Sequence, residues 1–182
     1  MKRRQLLAGL ASGGVLGGAG LVATGTVPNS ASNGSETSES VEPTTIDTIE
    51  APGSRDGEVT IPADNQATFV DFFGTWCPPC VEQMPALGEA EDRIGDEVRF
   101  VSVTTEDVSG SLSEETVVEW WRENDGDWLI AADVTAELAA KLNVGYYPTA
   151  VAIDAAGRVQ WSESGVHTAD EIVAGIETAL DA

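Results

Sequence analysis

Lysine is nearly missing from this chain: 182 residues contain only Lys2 and Lys141, and Lys plus Arg number 9 against 31 Asp and Glu. Three of those bases, Lys2, Arg3 and Arg4, precede the first acid, so the rest of the chain sets six bases against 31 acids, a net −25. Such a surface repels nucleic acid and anionic lipid headgroups, which excludes nucleic acid as a partner. Acidic excess spread along a whole chain is solvation rather than a binding site. With lysine so scarce, it fits a halophilic protein adapted to high salt, where screening removes the self-repulsion. Cysteine is equally rare and histidine rarer, at Cys77, Cys80 and His167. A structural zinc centre needs four ligands and cannot be assembled from these. Apolar residues make up 42% of the chain, enough for one ordinary domain with a core that needs no disulfide staples.

Long uncharged apolar runs are confined to Leu6–Val27, where seven of 22 residues are glycine. The run could span a bilayer, but it is weakly hydrophobic. Arg3-Arg4 followed by Gln5-Leu6-Leu7 resembles a twin-arginine export signal. Residues 1–27 are therefore expected to be an export signal or membrane anchor. No cysteine lies at the end of the run, so a cysteine-linked lipid anchor is excluded. Residues 28–45 are rich in Ser, Thr, Glu and Asn and read as a flexible tether, with a glycosylation sequon at Asn33-Gly34-Ser35. Residues 46–182 are the expected folded domain.

That domain is organised around Phe69–Cys80, FVDFFGTWCPPC. Phe69–Phe73 reads as a buried strand, Gly74-Thr75 breaks it, and Trp76-Cys77-Pro78-Pro79-Cys80 leads into a helix-like stretch, Val81–Ile94. Two cysteines three apart in a first helical turn bring their sulfurs close enough to bond reversibly. Cys77 lies where unpaired N–H groups and the helix dipole favour a thiolate, which makes it the attacking sulfur and Cys80 the resolving one.

The stretch resembles the central strand and active-site turn of the thioredoxin superfamily. Met84-Pro85 resembles that family's helix-kinking proline, and Tyr146-Tyr147-Pro148-Thr149 its cis-proline loop. Gly157-Arg158-Val159 and Gly165 continue the similarity into a terminal hairpin and helix, so it covers roughly 46–182. WCPPC and an insert at about 105–127 look most like the extracytoplasmic, membrane-tethered TlpA-like branch. The resemblance implies an α/β thioredoxin-like fold, a central mixed sheet flanked by helices, with an N-terminal hairpin extension and an inserted helix. It implies a thiol–disulfide oxidoreductase with no dissociable cofactor. Its partners would be protein disulfides, among them apocytochrome c or an oxidase copper-site protein, and a membrane thiol donor that re-reduces it.

The resemblance also assigns roles. Trp76 would cover the disulfide, and Pro148, in a cis peptide, would hold the Tyr147 backbone beside the sulfurs to pair with an incoming polypeptide. Asp71 shares its strand face with Phe69 and Phe73 and matches a buried aspartate that shuttles the proton of Cys80. The family's lysine partner for that carboxylate is missing from Val98–Thr104, so proton transfer would rely on water. A second class of function uses the same thiols without turnover: a copper metallochaperone with Cys77, Cys80 and His167 as ligands. Such relatives space their cysteines one residue further apart, so His167 reads as a surface residue.

Elsewhere, Ile46–Ile49 and Val59–Ile61 form the expected hairpin and Val98–Thr104 a buried strand. Glu114–Asn124 is a helix whose Trp120 and Trp121 read as packing, Trp128–Ile130 a short strand, and Ala136–Leu142 a short helix. Thr149–Ile153 and Val159–Glu163 make a hairpin. The last helix opens at Thr168, with Glu171 in a capping-box pattern, and buries Ile172, Ile176 and Leu180.

Because −25 on one domain is self-repelling when unscreened, the melting temperature should fall steeply between molar and millimolar salt. Circular dichroism across a salt series measures it.

Overall fold

The strand TFVDFF, Thr68–Phe73 (β3), is buried along its whole length, because helices and strands cover both of its faces. In this computed structural model, which describes residues 39–182, it lies inside a seven-stranded sheet. The expected export segment, the Asn33 sequon and most of the tether lie outside the described residues. In chain order the other elements are β1 Thr44–Thr48, β2 Gly57–Ile61, α1 Pro78–Ile94, β4 Arg99–Thr104 and α2 Glu114–Glu123. β5 Leu129–Ala132, α3 Glu137–Lys141, β6 Thr149–Ile153, β7 Val159–Ser164 and α4 Ala169–Leu180 complete it. The sheet order is β2-β1-β5-β4-β3-β6-β7, parallel where β4 meets β3 and β5 and antiparallel elsewhere. This is a thioredoxin-like α/β fold.

Alternation along β3 divides the core. Val70 and Phe72 join Val101, Val103, Val151 and Ile153 on one face, closed by Leu138 of α3 and the hairpin residues Ile46, Val59 and Ile61. Phe69 and Phe73 face the other way, onto Met84 and Leu87 of α1, Val117 and Trp121 of α2, and Ile172 and Ile176 of α4. Leu180 is only partly buried against this second cluster. The buried positions of α1, Cys80, Gln83, Met84, Leu87, Ala90 and Ile94, follow a helical stripe, and Pro85 sits on its exposed side.

Two of the boundaries that differ from expectation are informative. β1 begins at Thr44, so the last two residues of the expected tether belong to the sheet. Thr44 is buried and pairs with Ile61, its hydroxyl takes a 2.8 Å hydrogen bond from Lys141 Nζ, and Thr45 and Thr60 share one of 2.9 Å across the strands. Polar composition concealed a strand whose hydroxyls find partners on neighbouring elements. The redox helix begins three residues earlier than the apolar pattern suggested, because Pro78 and Pro79 occupy its first turn, where no intrahelical donor is needed.

The insert packs as an aromatic block. Ser113 caps α2 by accepting from the Thr116 N–H, and Val117, Val118, Trp120 and Trp121 are all buried. Trp120 stacks on Phe73 at 4.8 Å, while Trp121 meets Trp128 edge-on at 4.8 Å and donates from Nε1 to the Pro52 carbonyl at 3.1 Å. A Cβ at Gly126 would enter the Trp121 ring, so the chain leaves α2 through the one residue type that fits. At the β6–β7 turn, buried Asp154 accepts from the Ala156 and Arg158 N–H groups, Arg158 Nε and Gln160 Nε2. Burial works against its charge, but these hydrogen bonds outweigh it and hold the carboxyl below its usual range. The capping box joining Thr168 and Glu171 starts α4.

Trp121→Ala removes a fully buried ring and a hydrogen bond, and should destabilise the domain by about 3–5 kcal/mol in urea denaturation at high salt.

Candidate active site

β3 ends at Phe73, and the chain turns over Gly74–Cys77, closed by the Cys77 N–H donating to the Gly74 carbonyl at 3.1 Å. Trp76 lies back over Gly74, where a Cβ would come within 2.9 Å of the indole. Cys77 is the extended residue capping α1, and Cys80 lies one turn inside it. The two form a disulfide with Cα atoms 5.3 Å apart, buried on the α1 side of the sheet.

The helix terminus offers fewer free amides than expected. Pro78 and Pro79 have no N–H, and the Cys80 and Val81 amides both donate to the Cys77 carbonyl, at 3.0 and 3.4 Å. A Cys77 thiolate would therefore draw on the oriented peptide dipoles of α1, on a first turn free of acids, and on the Cys80 thiol.

Antiparallel pairing of Phe72 with Thr149 carries the segment before β6 to the end of β3, beside this turn. There the Tyr147–Pro148 peptide is cis, Pro148 is buried, and its carbonyl accepts from the Gly165 N–H at 2.9 Å. Tyr147 is half-buried, and its ring meets Trp76 edge-on at 5.8 Å. Trp76 is 66% exposed and Tyr146 77%, so two aromatic surfaces face solvent beside a buried disulfide. Cys77, Cys80, Trp76, Tyr147 and Pro148 are thus brought together by two loops about 70 residues apart.

Asp71 lies on the same face of β3 as Phe69 and Phe73, 1% exposed. Ser102, directly across on β4, donates to Oδ2 at 3.3 Å and itself accepts from Trp128 Nε1 at 2.9 Å, while Oδ1 has no hydrogen-bond partner. Burial pushes the carboxyl up to about 7, and the Ser102 hydrogen bond only partly opposes it. The acid is therefore poised to exchange a proton near neutrality, with a serine where the resemblance suggests a lysine.

His167 is not simply a surface residue. It is half-buried, with its ring edge-on to Trp161 at 5.5 Å and Nε2 enclosed. Its backbone is clasped by buried Gln83 of α1, whose Oε1 accepts from the His167 N–H at 2.6 Å while Nε2 donates to the carbonyl at 3.1 Å. Among the described residues no group of three His, Cys, Asp or Glu side chains is placed to hold a metal ion.

Sequence reasoning passed over Ser102, Gln83, Thr105 and Glu106. The first two left a signal. Ser102 is the polar residue of VRFVSVT that comes opposite Asp71 once the parallel register is known, and Gln83 lies three residues beyond Cys80 on the buried stripe. Glu106 and Thr105 reach their partners from a loop with no periodic pattern.

A Redoxin family model matches residues 48–180. The chain is 25% identical over 116 residues to sporulation thiol-disulfide oxidoreductase A of Bacillus subtilis, covering 63% of this chain and 69% of that protein. It is 30% identical over 117 residues to the thiol-disulfide oxidoreductase ResA of Geobacillus kaustophilus, covering 62% and 63%. The crystal structure of StoA from Bacillus subtilis superposes with a TM-score of 0.62 at 24% identity, over 74% of this chain and 96% of that one.

The Asp71 environment makes a signed prediction. Between the ordinary carboxyl range and about 7, the folded protein keeps a proton that the unfolded chain has released. Stability should therefore fall as pH rises through that window, by on the order of 4 kcal/mol, and level off above it. Asp71→Asn should abolish this slope in urea denaturation between pH 4.5 and 8.

Proposed function

Because the chain belongs to the Redoxin family and is a thiol–disulfide oxidoreductase, we propose that it reduces protein disulfides outside the cytoplasm through Cys77 and Cys80. The observation that carries the reading is the Cys77–Cys80 disulfide at the start of α1, facing the Tyr147–Pro148 loop with an aromatic surface beside it. The Cys77 thiolate attacks one sulfur of a substrate disulfide, forming a mixed disulfide and releasing the other as a thiolate. Cys80 then attacks the Cys77 sulfur, and the second substrate thiol leaves. Two electrons have passed to the substrate, and the Cys77–Cys80 disulfide is left for another protein dithiol to reduce.

Asp71 takes the proton of Cys80 as that sulfur attacks. A carboxyl that titrates near 7 is ionised often enough to accept the proton and holds it strongly enough to return it. Trp76 and the Tyr147 backbone bind the polypeptide around its cysteine, which adds as an extended strand beside Pro148. The TlpA-like features WCPPC and the 105–127 insert favour substrates such as apocytochrome c or an oxidase copper-site protein.

Export through the twin-arginine pair Arg3-Arg4, with residues 1–27 as signal or anchor and 28–43 as tether, would place the domain outside the cytoplasm, membrane-anchored or secreted, in a high-salt medium. No helix among the described residues is long and apolar enough to cross a membrane, so any anchoring would rest on the N-terminal segment.

Cys80→Ser should accumulate mixed disulfides on Cys77, whereas Cys77→Ser should lose exchange altogether. Non-reducing electrophoresis with mass spectrometry reads both. Trapping on Cys80 in the Cys77→Ser protein would reverse the assigned roles, and trapping in neither variant would remove the exchange function.

A further inference from the structure

The end of β4 touches both walls of the disulfide site. Glu106 is half-buried, and its carboxylate takes two hydrogen bonds from one residue of the active-site turn: Thr75 N–H donates to Oε2 at 2.8 Å and Thr75 Oγ1 to Oε1 at 2.7 Å. Thr104 Oγ1 also donates to Oε2, at 3.0 Å, and accepts from the Glu106 N–H at 3.2 Å. The neighbouring Thr105 shares a 2.6 Å hydrogen bond with the Tyr147 hydroxyl on the other wall. Tyr147 meets Trp76 edge-on, and Trp76 follows Thr75 in the chain. The contacts close a ring: Thr75, Glu106, Thr105, Tyr147, Trp76.

The base of this ring is rigid. Thr104 is fully buried at the end of β4, between β3 and β5, and its carbonyl accepts from the Asp133 N–H at 2.8 Å. The parts it holds are exposed by comparison. Trp76 is a large apolar side chain lying mostly in water, with an ordinary freedom to swing that only its neighbours restrict. The turn itself does not need Glu106 to form, since the Cys77 N–H already closes it on Gly74. What the carboxylate adds is position: a two-point, charge-assisted hold on the residue before Trp76.

On the reading of Cys77–Cys80 as an exchange site, we infer that Glu106 and Thr105 are positioning residues that lock Trp76 and Tyr147 into one ledge for a polypeptide substrate. Neither touches a sulfur in this role. The ledge serves a substrate long enough to contact both walls, and a small reagent that reaches Cys77 alone does not need it. The two walls are coupled through a dipeptide that directly follows a third strand, so loosening either hydrogen bond loosens both.

The test uses the full chain at high salt with Glu106→Ala, Glu106→Gln and Thr105→Val. Glutamine keeps an acceptor for the Thr75 N–H and a donor for its hydroxyl, and valine removes only the Thr105 hydroxyl. Glu106→Ala should raise KM for a protein disulfide about tenfold with kcat changed less than about twofold, and Glu106→Gln should stay close to wild type. Alkylation of reduced Cys77 by iodoacetamide should be unchanged in all three. Hydrogen exchange gives a readout free of activity: Glu106→Ala should speed exchange in residues 143–149 as well as 74–77, and Thr105→Val should speed it in 74–77 as well as 143–149.

Substitutions that each loosen only their own wall overturn the inference, as does an unchanged KM in Glu106→Ala or a Glu106→Gln as impaired as Glu106→Ala. Should Glu106→Ala not fold, Thr105→Val decides alone, and unchanged exchange at 74–77 overturns it. A wild type that exchanges with no protein disulfide defeats the function proposed above, while the exchange-rate coupling still decides whether the ledge is locked.

Discussion

The disulfide site exists because β3 is hydrogen-bonded along both edges. β4 runs parallel to it, so the C-terminal ends of both strands, with Thr75 following one and Thr105-Glu106 the other, emerge on the same side of the sheet. β6 runs antiparallel, so its N-terminal end, preceded by Tyr147-Pro148, arrives at that side too. Three loops distant in sequence converge on one place, and α1 starts there with Cys77 as its cap. The strands behind them are packed on both faces by close-fitting apolar clusters, which resist small displacements. The chemistry is carried by loops, and their precision comes from the sheet.

Electrostatically the molecule is divided. Its exterior is dominated by ionised acids with few bases among them, and three of the bases among the described residues are committed to ion pairs: Arg93 with Asp170 and Arg158 with Asp154 at 2.8 Å, and Lys141 with Glu137 at 2.9 Å. Among the carboxyls buried in its interior, Asp71 has a serine hydroxyl as its sole hydrogen-bond partner and no base to share its charge. Burying such a group disfavours its ionised form and makes the fold less stable at neutral pH than a neutral residue would. Groups of this kind are concentrated where proton transfer is needed, and Asp71 lies on the strand that leads into the cysteines. The same burial that weakens the fold brings the carboxyl into the range that the proposed transfer of the Cys80 proton requires.

Much of this was legible in the sequence, for reasons that can be assigned to particular stretches. FVDFF reads as a strand because its apolar residues need two covered faces. Thr168 and Glu171 announce a helix start because both halves of the capping box lie within four residues. Trp120 and Trp121 read as core because they share a helical stripe with Val117 and Val118. What could not be read depends on register between distant segments. Ser102 becomes the partner of Asp71 only when β4 pairs with β3 at one particular offset. Gln83 and His167 meet across 84 positions, and Glu106 and Thr75 across 31. Thr44 looked like tether because its polarity says nothing of the Lys141 and Ile61 that it meets. Two prolines at the helix start were visible, yet their effect on the thiolate became plain only when the Cys80 and Val81 amides were seen to serve the Cys77 carbonyl.

The central claim is a division of labour between two sulfurs one helical turn apart, with Cys77 at the loop edge and Cys80 inside the helix. Limited alkylation of the reduced protein at high salt, followed by peptide mass spectrometry, tests it most directly, because it asks each thiol separately and needs no substrate. The account predicts that label enters Cys77 first and that Cys80 is modified only when the domain is unfolded. Label entering Cys80 first, or both cysteines at equal rates in the folded protein, would contradict it.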